Sequence, residues 1–322
     1  MYDKEVRKVE KGFFMLKALV FPGQGSQSIG MGKDFYDTFP VAKEVFQEVD
    51  DALNFKLSDV IFNGKAEDLT ATQNAQPALM AMSMAVWRLV QQETGLRIKD
   101  FAYAAGHSLG EYSALCAAES LSLADTARLL QKRGLAMAKA AQNQKGLMAA
   151  IIGMDADSVQ SLAKQTDTFV ANDNSIGQIV ISGSVENIEK ACLKAKEMGA
   201  KRALPLNVAG AFHSPLMQSA AEEMKTVLGA VSFKTPLIPI VPNVLAEPIN
   251  NADLIKELLY KQITGQVRWT ETVQYLNKQG VAEFIEAGAG KVLGGLIKRT
   301  VSDVQVFSIN DILSLEEFKK TF

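Results

Sequence analysis

The feature that most constrains this fold is a strand, a glycine-bounded turn and a helix in immediate succession. The apolar run "FAYAA" (101–105) has the length of a buried strand, "GHSLG" (106–110) is a turn, and "LGEYSALCAAES" (109–120) is helical in pattern. A G-x-S-x-G pentad between a strand and a helix predicts a nucleophile elbow, which lifts Ser108 clear of the sheet. The next backbone N–H, from Leu109, then faces a developing oxyanion at a helix N-terminus. The alternative is a glycine-rich turn in which the serine only caps the helix.

A serine nucleophile needs a base within hydrogen-bond reach, and the chain has only two histidines. His107 is adjacent to Ser108, but consecutive side chains in a tight elbow leave the backbone in different directions. By elimination the base is His213, on a loop just before a helix in which Ser214 is the predicted N-cap and Pro215 the first residue. The alternative is that His213 is a structural loop histidine.

Strands and helices alternate on both sides of a segment whose pattern differs from its surroundings. Residues 141–208 have the predicted order β-α-β-β-α-β, which is the split βαβ or ferredoxin-like pattern. The fold class is therefore α/β, with this segment inserted as a small domain into a large α/β domain formed by residues 15–140 and 209–322. Residues 1–14 are predicted to be an N-terminal extension without a role in the fold, because the first good strand begins near Leu16.

Two further local predictions concern helices of the large domain. Residues 34–60 are predicted to form amphipathic helix. A long helix is predicted to begin at Thr72, with Pro77 in its first turn.

Composition excludes several classes of function. The formal net charge of −2 provides no global basic field for nucleic acid, and no apolar run is long enough to span a membrane. Cys116 and Cys192 have neither disulfide-framework nor metal-ligand spacing, and two histidines add too few ligands for a zinc site. We therefore expect a cytoplasmic protein with reduced cysteines, no bound metal, and no nucleic-acid or membrane partner.

Five motifs together resemble one enzyme family. The segments "FPGQGSQ", "GHSLGEYSALCAAES", "KRGLAM", "GAFHSPLM" and "EAGAGKVLGGLIKR" occur in the order seen in malonyl-CoA:acyl carrier protein transacylases. The match runs from about Leu16 to about Ile309. The resemblance implies an α/β-hydrolase-like large domain and a ferredoxin-like small domain, with the active site in the cleft between them. It also implies ping-pong transfer of malonyl from malonyl-CoA to the phosphopantetheine thiol of an acyl carrier protein, in fatty-acid biosynthesis and with no bound cofactor.

The resemblance assigns a role to each of seven residues. Ser108 matches the nucleophile, His213 the base, Gln24 and Leu109 the two oxyanion-hole amides, Gln262 the residue whose backbone carbonyl orients the histidine, Arg133 the malonyl carboxylate-binding arginine, and Asn174 an asparagine that lines the cleft.

The assignment of Arg133 has a physical reason. Malonyl differs from acetyl by a terminal carboxylate, which a guanidinium binds bidentately and a lysine does not. Arg128 and Lys132 lie nearby, and periodicity alone does not choose among the three. Phe212, before His213, resembles the form usual in malonyl-selective relatives, and its ring would fill the space that a methyl branch needs.

No carboxylate third member of a triad is visible in the sequence. Glu111 follows the elbow closely, but its helical position favours a structural, hydrogen-bonding role. The resemblance implies that the Gln262 carbonyl serves instead.

The expected partner is an acidic acyl carrier protein, so we expect a local basic patch on the enzyme surface. We expect the enzyme itself to be a monomer. Lys201–Arg202 and Lys298–Arg299 are the candidates, and ordinary solvated charges are the alternative for each. Three other functions stay open: a serine thioesterase or hydrolase, an acyltransferase of other acyl selectivity, and a non-enzymatic scaffold of this fold.

Overall fold

The computed structural model describes residues 15–322, so the predicted extension at residues 1–14 lies outside the described residues. The strands are β1 (Leu16–Phe21), β2 (Tyr103–Gly106), β3 (Gly146–Ile152), β4 (Phe169–Ser175), β5 (Gln178–Ser184), β6 (Arg202–Pro205), β7 (Ile240–Val241), β8 (Val267–Arg268), β9 (Val281–Ala287) and β10 (Gln305–Ile309). The helices are α1 (Lys33–Thr38), α2 (Pro40–Leu53), α3 (Leu57–Asn63), α4 (Ala66–Thr70), α5 (Thr72–Thr94), α6 (Gly110–Ala117), α7 (Leu123–Asn143), α8 (Ala156–Thr166), α9 (Val185–Glu197), α10 (Gln218–Gly229), α11 (Ala252–Thr264), α12 (Trp269–Lys278), α13 (Val292–Thr300) and α14 (Ile312–Lys319). Short 3-10 helices occupy Ile98–Asp100 and Pro215–Met217.

The first sheet is parallel throughout and has the order β10-β9-β1-β2-β7. Alternate residues of β1 point to opposite faces: Leu19 and Phe21 join the larger apolar cluster with α5 and α7, whereas Ala18 and Val20 pack with α12 and α13. All four are fully buried. A continuous apolar strand of this kind is what a parallel sheet covered on both faces requires. The carboxyl ends of these strands meet at one edge, where ligands bind in open α/β sheets.

The second sheet has the order β6-β3-β5-β4-β8 and is antiparallel except where β4 meets β8. Its first four strands and two helices follow in the order β3-α8-β4-β5-α9-β6, which is the β-α-β-β-α-β order expected from the sequence. The helices α8 and α9 cover one face through a separate apolar cluster. The fifth strand, β8, comes from a later part of the chain and pairs Val267 with Asn172. This short parallel pairing thus adds a strand from the later part of the chain to the second sheet.

Two predictions about helices are wrong in detail. Residues 34–60 form most of three helices because the chain turns at Phe39–Pro40 and again at Asn54, which has a left-handed φ of 49°. A proline disfavours continuation of a preceding helix, because it lacks the N–H that the helix needs, but it fits well as the first residue of α2. The long helix does begin at Thr72, but Pro77 is its sixth residue and lies inside the helix.

None of the helices between residues 15 and 322 is long and apolar enough to cross a membrane.

Candidate active site

The turn between β2 and α6 has the strained geometry expected of an elbow. Ser108 has a φ of 53°, a left-handed conformation that a serine adopts only when its surroundings enforce it. A Cβ on Gly106 would lie 2.0 Å from the Gly110 carbonyl, and a Cβ on Gly110 would lie 2.3 Å from the Phe21 carbonyl oxygen. Only glycine fits at either position, because the start of α6 lies directly against the ends of β1 and β2. The pentad therefore serves close packing as well as the placement of the serine.

Ser108 and His213 are brought into direct contact across a separation of 105 residues. The Ser108 Oγ lies 2.9 Å from His213 Nε2. On the other side of the ring, His213 Nδ1 lies 2.9 Å from the Gln262 carbonyl oxygen and 3.2 Å from that of Gly265. Because carbonyls only accept, Nδ1 carries the proton and Nε2 is free to accept one from the serine. No carboxylate is needed to fix this tautomer.

The imidazole of His213 is held in its neutral form. Burial, followed by the nearby positive charge of Arg133, lowers the pKa of His213 to about 3, although the two carbonyl contacts act in the opposite direction. The side chain is 4% exposed. At physiological pH the ring is therefore a proton acceptor, and a charge that offsets Arg133 would make it a stronger one.

Arg133 extends from α7 to the same serine. Its Nη2 donates to Ser108 Oγ at 3.1 Å and to Gln262 Oε1 at 2.9 Å, and its Nη1 donates to Gln76 Oε1 at 2.7 Å. The guanidinium carbon lies 5.7 Å from the centre of the Tyr112 ring. Every hydrogen-bond acceptor of this guanidinium within residues 15–322 is neutral, and the side chain is 1% exposed. The Glu111 carboxyl acts on the guanidinium only through space. A buried cation without a directly hydrogen-bonded anion is costly, so the site favours an anionic ligand.

The structure distinguishes Arg133 from its two cationic neighbours on α7. The Arg128 side chain is exposed and donates to the Ala52 carbonyl and to Asp125. Lys132 is also on α7, but only Arg133 reaches Ser108. Sequence periodicity could not make this choice, because it depends on what α7 packs against.

The predicted oxyanion amides lie on two different loops. Gln24 follows β1 and lines the cavity at Ser108, and Leu109 immediately precedes α6. In the part of the chain that the structure describes, neither the Gln24 nor the Leu109 backbone N–H has a hydrogen-bond partner. Both amides therefore have an unused donor close to the nucleophile.

A cavity of about 200 Å³ lies between the two sheets. The residues that line it are Gln24, Gly25, Gln27, Thr70, His107, Ser108, Arg133, Met137, Met148, Asn172, Asn174, Val180, Leu206, Asn207, Val208, Phe212 and His213. The sequence predicted a site role for eight residues, and six of them line the cavity: Gln24, Ser108, Arg133, Asn174, Phe212 and His213. Of the other two, Leu109 follows Ser108 in the chain and Gln262 contacts Arg133 and His213.

His107 does not take part in the serine–histidine pair. Its Nε2 lies 2.8 Å from Asn174 Oδ1, and its ring centre lies 5.9 Å from that of Trp269. Burial lowers the pKa of His107, so this imidazole is also neutral. His107 thus links the elbow to β4 of the second sheet and orients Asn174 at the cavity wall.

Glu111 has the supporting role that its helical position indicated. It is 1% exposed and accepts hydrogen bonds from the Asn243 backbone N–H at 2.9 Å and from Gln262 Nε2 at 2.7 Å. Burial raises the pKa of Glu111 to about 7. Its hydrogen-bond partners do not include His213, so Glu111 is not a triad acid.

Sequence reasoning missed two polar residues that contact the site. Gln76 binds Arg133 from the start of α5, and Asn243 binds the elbow from the loop after β7. The position of Asn243 directly after a short extended segment was a usable signal, because the carboxyl ends of parallel strands gather at the site. Gln76 lies in a helix among apolar residues and gave no such signal.

The described residues hold no group of three or more histidine, cysteine or acidic side chains arranged for a metal ion. Both cysteines are free, and Cys116 is buried.

Comparisons with known proteins point to one family. The family model described as "Acyl transferase domain" matches residues 18–316. A malonyl CoA-acyl carrier protein transacylase of Bacillus subtilis is 47% identical over 304 residues, which cover 93% of this chain and 95% of the relative. The enzyme of the same name from Escherichia coli K12 is 42% identical over 298 residues, covering 91% and 96%.

Two solved structures are similar over nearly the whole chain. The acyl-carrier-protein-S-malonyltransferase of Bartonella henselae has a TM-score of 0.92 and 47% identity, covering 95% of this chain and 99% of that one. A malonyl-transacylase solved in complex with a type II PKS acyl-carrier protein has a TM-score of 0.92 and 40% identity, covering 95% and 100%.

Proposed function

The chain belongs to the acyl transferase family, and on that premise we propose that it transfers the malonyl group of malonyl-CoA to an acyl carrier protein in fatty-acid biosynthesis. Relatives at 40–47% identity bear the name malonyl CoA-acyl carrier protein transacylase. The observation that supports malonyl as the acyl group is Arg133, a buried guanidinium that has only neutral acceptors and touches the nucleophile at 3.1 Å.

We propose that the fold divides as the sequence suggests. The parallel sheet and its helices would form an α/β-hydrolase-like large domain from residues 15–140 and 209–322. The strand order β6-β3-β5-β4 supports a ferredoxin-like small domain at residues 141–208. The pairing of β8 with β4 adds one strand from the large domain to the sheet of the small one.

In the first half-reaction, Ser108 is acylated. The Ser108 hydroxyl gives its proton to His213 Nε2 while Oγ attacks the thioester carbon of malonyl-CoA. The carbonyl oxygen becomes an oxyanion, which accepts hydrogen bonds from the Gln24 and Leu109 amides. When the oxyanion collapses, the carbon–sulfur bond breaks and the CoA sulfur leaves with the proton from His213. The products are the malonyl-Ser108 ester and free CoA.

The second half-reaction reverses these steps with a different thiol. The phosphopantetheine thiol of the carrier gives its proton to His213, and its sulfur attacks the ester carbon. The same amides hold the oxyanion. The carbon–oxygen bond to Ser108 then breaks, and the serine oxygen recovers the proton from the imidazolium. No electrons are transferred, and the sequence of steps uses no bound cofactor or metal.

Selection for malonyl follows from the charges in the cavity. The free carboxylate of malonyl pairs with Arg133, and each charge-assisted hydrogen bond contributes about 1.5–3 kcal/mol. An acetyl group leaves the cation unpaired. The Gln262 carbonyl orients His213 without adding a negative charge that would repel the substrate. Phe212, in the cavity wall, supports exclusion of a methyl branch, and Asn174 is proposed to line the path of the substrate.

We propose that the acidic carrier protein docks beside the cleft on two basic pairs. Arg202 pairs with Ile152 in the second sheet, Ile152 pairs with Gln178, and Gln178 Oε1 accepts a hydrogen bond from Arg299 Nη1 at 2.6 Å. Lys201–Arg202 and Lys298–Arg299 therefore flank the same end of this sheet. The enzyme would act as a monomer in the cytoplasm. The free cysteines are consistent with a reducing compartment.

The test is to incubate the protein with malonyl-CoA and to identify the labelled residue by intact-mass and peptide analysis. We expect a gain of one malonyl group per chain, located on Ser108, and no gain in the variants Ser108→Ala and His213→Ala. Faster labelling by acetyl-CoA would indicate another acyl selectivity. A label on a different residue, or none with any acyl-CoA, would contradict the proposal.

A further inference from the structure

Asn243 occupies a special place beside the elbow. It is fully buried and follows β7, the edge strand of the parallel sheet, whose last residue Val241 pairs with Ala105 of β2. Two residues after Val241, the chain lies next to the turn that contains Ser108. The backbone ladder between β7 and β2 ends here because the elbow turns away from the sheet.

The Asn243 side chain continues the ladder by one step. Its Oδ1 accepts a hydrogen bond from the Ser108 N–H at 2.7 Å, and its Nδ2 donates to the Gly106 carbonyl at 2.6 Å. In a parallel sheet, a residue that lies opposite residue i of the neighbouring strand donates its N–H to the carbonyl of residue i−1. Its own carbonyl accepts a hydrogen bond from the N–H of residue i+1. Gly106 and Ser108 stand in that relation about His107. The side-chain amide thus replaces a backbone peptide group and holds both sides of the elbow.

The backbone of Asn243 is fixed in turn. Its N–H donates to Glu111 Oε2 at 2.9 Å, and its carbonyl accepts from the Arg268 N–H at 3.0 Å. Glu111 belongs to α6, the helix that starts at the elbow. Asn243 is therefore bound to the elbow through its side chain and to the helix that follows the elbow through its backbone. With both ends of the residue held, the side chain has little freedom to follow a shift of the turn.

We propose that Asn243 is a positioning residue for acyl transfer, because its side-chain amide holds the elbow in the conformation that aims the Ser108 hydroxyl and the Leu109 N–H. The Leu109 N–H belongs to the peptide that follows Ser108. Relaxation of the positive φ at Ser108 therefore moves the nucleophile and an oxyanion donor together. A displacement of about 1 Å at such a site costs about 100-fold in rate.

The amide cannot be replaced by a carboxylate of the same shape. An ionised aspartate accepts from the Ser108 N–H, but it cannot donate to the Gly106 carbonyl. It also places a carboxylate oxygen next to that carbonyl. Arg133 does not contact this amide directly: it donates to Gln76 and to Gln262 Oε1, and only Gln262 Nε2 reaches Asn243 Oδ1, at 3.4 Å. We therefore expect malonyl binding to depend less on this amide than the position of Ser108 does.

The inference rests on the proposed function, and the experiment separates the two. We compare single-turnover acylation by malonyl-CoA in the wild type, in Asn243→Asp and in Val241→Ala, a buried control on β7, two residues before Asn243, that removes only methyl groups. We expect Asn243→Asp to lower the acylation rate constant about 100-fold, with a half-saturating malonyl-CoA concentration within about threefold of the wild type. The control keeps the wild-type rate even if its unfolding midpoint falls.

A rate constant for Asn243→Asp within about threefold of the wild type would overturn the inference, as would a loss confined to substrate affinity. Absence of acylation in the wild type would instead overturn the proposed function. A second measurement needs neither substrate nor variant: hydrogen exchange of the Ser108 amide in the wild type. We expect strong protection of this amide, because its N–H donates to Asn243 Oδ1. Exchange at the rate of an unstructured peptide would contradict the proposal.

Discussion

The Ser108 hydroxyl has two hydrogen-bond partners: His213, which accepts its proton, and the cationic Arg133, which donates to its oxygen. His213 Nε2 lies 2.9 Å from it and Arg133 Nη2 lies 3.1 Å from it. The arginine stabilises negative charge on the serine oxygen, yet it also lowers the pKa of the base. When a substrate carboxylate pairs with Arg133, that second effect weakens and His213 becomes more basic. Under the proposed function, the charge of the substrate would thus contribute to the activation of Ser108.

A first prediction at this scale concerns Arg133→Ala. Because two charge-assisted hydrogen bonds are lost, we expect malonyl-CoA acylation to fall about 100-fold or more. Acetyl-CoA acylation should fall much less, since acetyl has no carboxylate to pair with the guanidinium. Single-turnover acylation with both thioesters measures the ratio. The control is Arg128→Ala, an exposed arginine on the same helix, which should leave both rates unchanged. Retained malonyl preference in Arg133→Ala would mean that another cation binds the carboxylate.

A second prediction concerns stability and pH. His213 has a pKa of about 3 in the folded protein and about 6.5 when unfolded, so the unfolded state binds more protons in between. Its neutral burial therefore destabilises the fold as the pH drops below about 6.5, by about 2 kcal/mol at pH 5. His107 acts in the same direction, and Glu111, with its raised pKa, acts in the opposite one.

The measurement is urea unfolding of the wild type and of His213→Asn at pH 5 and pH 7.5. The wild type should lose about 2 kcal/mol more than the variant on going to pH 5. The comparison isolates His213 because both proteins keep His107 and Glu111. Equal losses in both proteins would show that His213 titrates normally.

At the scale of elements, local chemistry explains which predictions succeeded. The elbow followed from an apolar strand and two glycines, and the β-α-β-β-α-β order followed from capped helices, with Ser184 and Asp155 as the observed N-caps. The two-residue strands β7 and β8 were not predictable, because they are strands only through pairing with β2 and β4. Local sequence contains no information on such partners.

The same distinction applies to the site. The contact between Ser108 and His213 could be predicted because few residue types form a nucleophile–base pair and the chain has two histidines. Arg133, Gln24, Gln262 and Asn174 came from the resemblance to a family. The contacts of Gln76 with Arg133 and of Asn243 with Ser108 span 57 and 135 residues, and they depend on helix and strand packing.

A third prediction tests the packing of α7 against α5. A Cβ on Gly134 would lie 2.5 Å from the Gln73 Cα and from the Thr72 carbonyl oxygen, so Gly134→Ala forces the helices apart. We expect a loss of about 1–3 kcal/mol in the free energy of unfolding, measured in urea. We also expect slower malonyl acylation, because the neighbouring Arg133 moves away from Gln76.

The control is Gly229→Ala in α10, where a Cβ meets nothing within 4 Å. Its free energy of unfolding should stay the same or rise by up to about 1 kcal/mol, because alanine favours helix. Wild-type stability in Gly134→Ala would contradict the close approach of the two helices.

At the scale of the whole molecule, the two sheets supply different parts of one cleft. The parallel sheet provides Ser108 and the oxyanion loops at the carboxyl ends of its strands, and the second sheet provides Asn174 and a basic end. Under the proposed function, the carrier would deliver its arm into this cleft while its acidic surface stays outside. Docking and chemistry are therefore separable by mutation.

A fourth prediction uses this separation. The double reversal Lys201→Glu with Arg202→Glu should leave acylation by malonyl-CoA unchanged and slow transfer to the carrier about tenfold at low salt. The difference should shrink as salt screens the charges. Lys225→Glu with Lys256→Glu, on α10 and α11, makes the same change in net charge elsewhere and should affect neither half-reaction. Equal loss in both half-reactions for the first pair would contradict the docking proposal.

The fate of the acyl-enzyme tests the central claim most directly. Malonyl-enzyme is prepared with malonyl-CoA, freed of CoA, and divided between buffer alone and buffer containing the phosphopantetheine-bearing carrier protein. We expect the ester on Ser108 to persist in buffer and to be discharged far faster by the carrier, with one malonyl group recovered on the carrier thiol for each one lost from the enzyme. Release of free malonate at the same rate in both samples would contradict this account and identify the protein as a hydrolase.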